Sequence, residues 1–221
     1  IARIQRQGLP VDDIDVIPGV PTGTAGVTLD GQGNATYQFP EPSAWDQIPA
    51  GGASILVPGM DALVFGSLAL RSSANEEVLE SLLATAGPIK ILDVNLRPPY
   101  FNRLDLLVMA QKADVIKVNT EELVVLTGME VASGVPEGPL QMLSTITGVR
   151  QICLTLGGEG AIFWKQGEVT LAEAPSVEVV DTVGAGDAFT AAVALGLCRG
   201  ERPDRFLPVA CQLGSFVASR A

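Results

Sequence analysis

The sequence predicts an α/β fold with a mainly parallel central sheet covered by helices on both faces. Three observations lead there. Short apolar runs rich in Val, Ile and Leu alternate along the chain with longer stretches of helical periodicity. The clearest of these runs end in turns marked by Gly, Pro, Asn or Asp. The chain has 221 residues, 47% of them hydrophobic and 18% charged, which suffices for one large domain with its own core. Strands that alternate with helices are joined by right-handed crossovers, and ligands in such sheets sit at the carboxyl ends of the strands.

Taken in order, residues 1–9 read as the tail of a helix already under way. Position 1 is Ile, and the last apolar helical run stops at Ala221, so residues are expected to be missing, at least from the front, through truncation or disorder. Residues 14–39 are strand-like: Val16 and Ile17, then 24–29, a turn over 30–34, then 35–39. This is a β-hairpin with a loop longer than the tightest type. Residues 15–40 are therefore set apart from a core made of 1–14 and 41–221. Residues 43–61, rich in Pro and Gly, read as a loop with short helical turns. Residues 62–67 form a short buried strand, and 75–86 an amphipathic helix with Val78, Leu79, Leu82 and Leu83 on one side. Strands are expected over 89–94 and 115–118, with a helix over 101–112 between them. Helices over 121–127 and 140–147 follow, then strands over 152–156, 161–165 and 169–171. Val177, Val179 and Val180 read as a further strand entering a turn at Gly184-Ala185-Gly186. The apolar run 188–197 reads as a buried helix, and 209–218 as the last one.

Composition narrows the function. Net charge is −11, with 14 basic and 25 acidic residues and no Lys/Arg-rich run, so nucleic acid is an unsuitable partner. A nucleotide is not excluded, because such sites use local amides and metal rather than global charge. The absence of histidine removes His-based catalysis and His-metal sites. Cys153, Cys198 and Cys211 have no metal-ligand spacing and lie in apolar segments, so they read as buried free thiols in a reducing cytoplasm. No apolar run is long enough to span a bilayer.

Four segments carry candidate chemistry. In Asp181-Thr182-Val183-Gly184-Ala185-Gly186-Asp187, small residues at a helix start leave backbone N–H groups bare at the positive end of the helix dipole, an anion site. Asp187 is out of place in a site that only binds anions. It fits if it takes a proton from a hydroxyl while the amides hold the phosphoryl group under attack. The alternative is a glycine-rich turn with Asp187 as N-cap. Asp93-Val94-Asn95-Leu96-Arg97-Pro98-Pro99 follows a strand, and its prolines fix the loop. Arg97 suits a substrate oxygen or a phosphoryl group, or a surface ion pair with Asp93. Asn119 and Glu122, spaced by three, share one side of a first helical turn, which is also the spacing of a capping box. Thr155-Leu156-Gly157-Gly158-Glu159-Gly160 lets backbone approach a ligand closely, or is a plain turn between strands. No P-loop occurs.

Together these segments resemble, in order and spacing, the signatures of the PfkB (ribokinase-like) carbohydrate kinases, and the resemblance covers essentially the whole chain. It implies a ribokinase-like three-layer α/β/α fold with a small β lid, to which the hairpin at 15–40, or the sheet edge beside it, belongs. It implies an anion hole at Gly184, Ala185 and Gly186 with Asp187 as catalytic base. Nucleotide contacts would come from Lys117, Asn119, Thr155, Gly157, Gly158 and Gly160. Asn95, Arg97 and Asp187 would meet the sugar. Asn119 and Glu122 would organise Mg²⁺ with ATP, and backbone carbonyls of Asp181 and Val183 would face a monovalent cation, K⁺. Asp-x-Asn-x-Arg resembles the fructokinase and 2-keto-3-deoxygluconate kinase branches, which implies ATP-dependent phosphorylation of a sugar's primary hydroxyl. Fructose comes first, with 2-keto-3-deoxygluconate, ribose or a nucleoside as alternatives. A non-catalytic binding protein with a kinase fold is the alternative of another class, and a homodimer through the lid is the implied assembly. The sequence departs from the family at two places. The family's Gly-Gly sugar motif and nearby Asp have no counterpart, Gly51-Gly52 standing in the wrong context. The Gly-Ala turn after the last helix is absent.

Overall fold

The computed structural model describes residues 1–12, 14–29, 35–49, 59–85, 87–132 and 134–220. The turn expected over 30–34, Gly51-Gly52 and Ala86 lie outside them. The chain divides into two compact units: Ile1–Met60, Leu68–Gly87 and Arg97–Tyr100 form the first, and Asp61–Ser67, Pro88–Leu96 and Phe101–Ala221 the second.

The first unit contains α1 (Ala2–Arg6), strands β1 (Gly26–Leu29) and β2 (Ala35–Gln38), and α2 (Ser73–Leu83). The two strands pair antiparallel with Gly26 opposite Gln38 and Leu29 opposite Ala35, the hairpin that the sequence implies. Val16 and Ile17 are not a strand. They lie in irregular chain with Val16 69% exposed, and the Ile17 carbonyl closes a turn by accepting from the Val20 amide. Arg71 organises this unit. Its guanidinium makes a fork to Asp46, Nε to Oδ1 at 2.8 Å and Nη2 to Oδ2 at 2.9 Å, donates to the Phe39 carbonyl, and lies 5.0 Å from the Tyr100 ring centroid. Arg71 holds the Asp46 carboxyl below its ordinary value near 3.8, burial opposing and the Ser43 amide helping. Asn75, also buried, ties the turn at 44–48 to the following helix through Ile48 N–H, the Trp45 carbonyl and the Ala69 carbonyl.

The second unit holds β3 (Ala62–Gly66), β4 (Ile89–Asp93), α3 (Arg103–Ala110), β5 (Val115–Asn119), α4 (Thr120–Thr127), α5 (Glu137–Thr147), β6 (Gln151–Thr155), β7 (Ala161–Lys165), β8 (Glu168–Ala172), α6 (Ala185–Cys198) and α7 (Pro203–Ala218). Its sheet has six strands in the order β3-β4-β5-β6-β7-β8. The first four are parallel, and β7 and β8 are antiparallel additions. This is the mainly parallel α/β architecture that alternating strands and helices imply.

Alternation along the strands decides what each face carries. Ile91, Val115, Cys153 and Phe163 share a core cluster with Phe189 and Val193 of α6 and Phe206, Leu207 and Ala210 of α7. The alternate row, Leu92, Ile116, Leu154 and Ile162, is equally buried, as are Leu123 and Leu126 of α4 and Leu140 and Leu143 of α5. The α6–α7 seam is tight. A Cβ at Gly196 would collide with Phe206. Among the described residues no helix is long and apolar enough to cross a membrane.

The reading of 177–180 as a strand fails. β-branched residues raise strand propensity, but propensity needs a partner strand to be realised. The amides of Val180 and Asp181 instead donate to the Ala218 carbonyl, at 2.9 and 3.2 Å, and Val179 and Val180 remain exposed. Cys153 and Cys211 are buried as expected, whereas Cys198 is exposed, because it is the last residue of α6 and lies outside the α6–α7 packing.

Candidate active site

Two segments about thirty residues apart in sequence meet at one cavity of ≈ 290 Å³. Thr155, Gly157, Gly158 and Gly160, which follow β6, line it on one side, with Ala185 and Gly186 at the start of α6. Gly214 and Ser215 of α7 also contribute, which the sequence did not announce beyond a glycine inside a helix. The β6–β7 connection is a tight 3-10 turn in which the Leu156 amide donates to the Gly160 carbonyl at 2.8 Å. It is thus both a turn between strands and a cavity wall. Gly160 has φ +119°, and a Cβ there would overlap the Ala172 carbonyl, so only glycine closes this turn.

Helix α6 starts earlier than its apolar run suggests. Gly184, at φ +82°, is its N-cap and Ala185 its first residue, so Asp187 stands in the first turn, makes no capping hydrogen bond and is exposed. Asp187 as N-cap is therefore ruled out. Of the amides at this helix start, that of Ala185 donates to the Thr182 carbonyl at 3.1 Å. Those of Gly184, Gly186 and Asp187 have no acceptor among the described residues. Bare amides at a helix N-terminus facing a cavity attract an anion. Asp181 closes the preceding turn, accepting from the Val183 amide at 2.9 Å, and Val183 is 65% exposed.

Below the helix start lies a buried polar cluster. Asp93 and Lys117 are register partners on the adjacent parallel strands β4 and β5, so their side chains leave the same sheet face. Lys117 Nζ donates to Asp93 Oδ1 at 3.0 Å, and Thr190 Oγ1 of α6 donates to Asp93 Oδ2 at 2.9 Å. Lys117 and Asp93 are only 9% and 8% exposed. A Cβ on Gly186 would stand 3.6 Å from Lys117 Nζ, which puts the ammonium directly against the helix start. Asp93 therefore pairs with Lys117 rather than with Arg97.

Asn119 and Glu122 form a reciprocal capping box at the start of α4. Asn119 Oδ1 accepts from the Glu122 amide and Glu122 Oε2 from the Asn119 amide, both at 2.8 Å. Glu122 Oε1 also accepts from the Leu96 amide at 3.0 Å, fixing the loop after β4. Burial pushes the Glu122 carboxyl above its ordinary value near 4.5, against the pull of the two amides and of Lys117. Each of its oxygens retains a lone pair for a further donor or a cation's water. Ser67 secures the same loop, Oγ donating to the Val94 carbonyl at 2.8 Å. Asn95 adopts φ +41°, in the left-handed region that Asn tolerates better than most side chains. Arg97, half-buried, falls in the first unit and Asn95 in the second.

Among the described residues no cluster of three or more acidic or thiol side chains offers a ready-made metal cage. Asn119 and Glu122 suit Mg²⁺ only in the way that ion usually accompanies a nucleotide, retaining waters and phosphate oxygens as most of its ligands. The glycine walls of the cavity and the bare amides of the α6 start suit a nucleotide phosphate chain better, with the Lys117 ammonium against Gly186.

These features define an α/β protein of the ribokinase-like fold whose α6 start presents amides without acceptors among the described residues. The whole chain, residues 1–221, matches the model of the pfkB family of carbohydrate kinases, and the protein belongs to that family. It is 28% identical over 221 residues to a ribokinase of Arabidopsis thaliana, across 95% of this chain and 55% of the relative. It is 31% identical over 175 residues to a fructokinase of Rhizobium leguminosarum bv. trifolii, across 75% of this chain and 52% of the relative. The chain thus spans about half the length of these relatives. Its fold matches that of Vibrio cholerae O395 fructokinase, in a crystal form with fructose, ADP and calcium ion bound, at a TM-score of 0.81 and 21% identity, over 99% of this chain and 74% of the other.

Proposed function

We propose that the protein is an ATP-dependent sugar kinase that transfers the γ-phosphoryl group of ATP to a primary hydroxyl of its substrate. The observation that carries this reading is the junction of the α6 start and the glycine turn after β6 at one cavity, with buried Lys117 against Gly186 and an uncapped carboxylate, Asp187, on the same helix start. In phosphoryl transfer the protein chiefly positions the reactants and stabilises charge, with little covalent chemistry of its own. The amides of Gly184, Gly186 and Asp187, with Lys117, hold the transferring group and its developing charge. The exposed carboxylate of Asp187 accepts the hydroxyl proton as the oxygen attacks. Thr155, Gly157, Gly158 and Gly160 give the nucleotide a close backbone surface. Asn119 and Glu122 would hold Mg²⁺ through water, and that ion, when bound, neutralises charge on the phosphates. Carbonyls of Asp181 and Val183 would face K⁺.

Fructose is the leading substrate, on the form of Asp93-Val94-Asn95-Leu96-Arg97 and on the relatives named fructokinases. Asn95 and Arg97 would meet its hydroxyls. The test is ADP formation from ATP and Mg²⁺, with and without K⁺, across fructose, 2-keto-3-deoxygluconate, ribose and nucleosides. Sugar-dependent ADP formation is expected with one class of acceptor, and none with any acceptor would overturn the reading.

A further inference from the structure

We infer that Asp93 and Thr190 are positioning residues that hold Lys117 back from a bound phosphate group, so that its ammonium is matched to the transferring phosphoryl group and not to the resting nucleotide. This inference rests on the reading of the cavity as a nucleotide phosphate site.

The positive end of a helix dipole is an unfavourable neighbour for a cation. Yet Lys117 Nζ lies against Gly186, the second residue of α6, with Lys117 nine-tenths buried. In the absence of an anion this costs free energy, and Asp93 offsets it through the 3.0 Å contact to Nζ. A buried ion pair alone is weak evidence for stability, since apolar residues of similar volume often serve as well. Its location is what gives this one a purpose.

Three features make Asp93 a restraint rather than simple ballast. Its second oxygen is held by Thr190, which lies one turn along α6 from both Gly186 and Asp187. The carboxylate is therefore anchored to the helix whose start forms the anion site. The strand register fixes the backbones of Asp93 and Lys117 side by side, so the carboxylate is always within reach of the ammonium. An ammonium has three donors, and Asp93 is the one hydrogen-bond partner of Lys117 among the described residues. Two donors are left for a ligand. A phosphate therefore shares Lys117 with Asp93, which holds part of its charge and fixes where the ammonium stands. Catalysis gains only from contacts that strengthen on the way to the transition state, and a cation tethered by a carboxylate gives up ground-state binding to achieve that.

The test measures binding of ADP and of inorganic phosphate by calorimetry, with ATP turnover alongside, for the wild type, Asp93→Asn, Thr190→Val and Lys117→Met. Asp93→Asn should bind ADP about tenfold tighter, the worth of one charge-assisted contact. It should also lose roughly tenfold or more in kcat, so that KM for ATP and kcat fall together. Thr190→Val keeps the side-chain shape and should move both quantities the same way by less, which carries the test if Asp93→Asn fails to fold. Lys117→Met should weaken both ligands. A merely structural role predicts weaker binding and lower melting temperatures in all variants. ADP affinity unchanged or weaker in well-folded Asp93→Asn or Thr190→Val overturns the inference. If no protein binds ADP but phosphate affinities keep the stated order, the positioning role stands and the nucleotide reading falls. If the wild type binds neither, both fall.

Discussion

Gly186→Ala separates the stability of the helix start from its chemistry. The added methyl would sit 3.6 Å from Lys117 Nζ, an ordinary contact, so nothing needs to shift to admit it. Alanine in place of glycine favours a helix by up to ~1 kcal/mol, less near an end. In a chain of this size that is a rise of roughly 2–4 °C in Tm at most. Binding should move the other way. Gly186 lines the cavity, and the methyl would occupy the place where an oxygen hydrogen-bonded to the ammonium must come. A hydrogen bond to a charged group is worth about 1.5–3 kcal/mol, so ADP affinity should fall roughly 10- to 100-fold. Calorimetric titration with ADP and with phosphate reads the loss, and thermal unfolding checks the fold. Wild-type ADP affinity in a variant of wild-type or higher Tm would refute the placement of the phosphate site at the start of α6.

Other perturbations follow from the same geometry. Gly160→Ala should cost several kcal/mol of stability, since the left-handed φ and the overlap with the Ala172 carbonyl add up, and a denaturant titration measures it. Arg71→Met leaves the Asp46 carboxylate buried without its fork and should destabilise the fold by about 3–5 kcal/mol. Because Arg71 lowers the Asp46 pKa, the wild type owes stability to this pair above pH 3.8 and loses it as the pH falls further, whereas the variant should lack that acid loss. Glu122 has the opposite sign. Its raised pKa means that stability from this group is present below about 4.5 and lost as the pH rises through the folded value. Glu122→Gln should flatten that slope, while costing about 1–3 kcal/mol because its amide N–H₂ confronts the Asn119 or Leu96 amide. Unfolding curves at a series of pH values would report both.

The central sheet was legible because β4, β5 and β6 are short runs rich in Ile, Val and Leu that end at Asp93, Asn119 and Thr155, the pattern of strands buried on both faces. The turn into α6 was legible because Gly184 and Gly186 interrupt the run between two apolar stretches. The register of a parallel sheet is not written in either strand, so the pairing of Asp93 with Lys117, and of Asp93 with Thr190 ninety-seven residues away, could not be read. Arg97 was the nearer candidate partner in sequence. The fork between Arg71 and Asp46 was hidden likewise, since the two residues lie twenty-five positions apart. The valines at 177–180 misled because β-branching reports a preference and not a neighbour, and here the neighbour is the end of α7.

The measurement that bears most directly on the account is turnover of Asp187→Asn beside its ADP affinity. The side chain is exposed and caps nothing, so the variant should fold and bind ADP as the wild type does. Its sugar-dependent ADP formation should fall by about 10²–10⁴-fold, the contribution of a positioned general base. Undiminished turnover in Asp187→Asn would contradict the mechanism at its core.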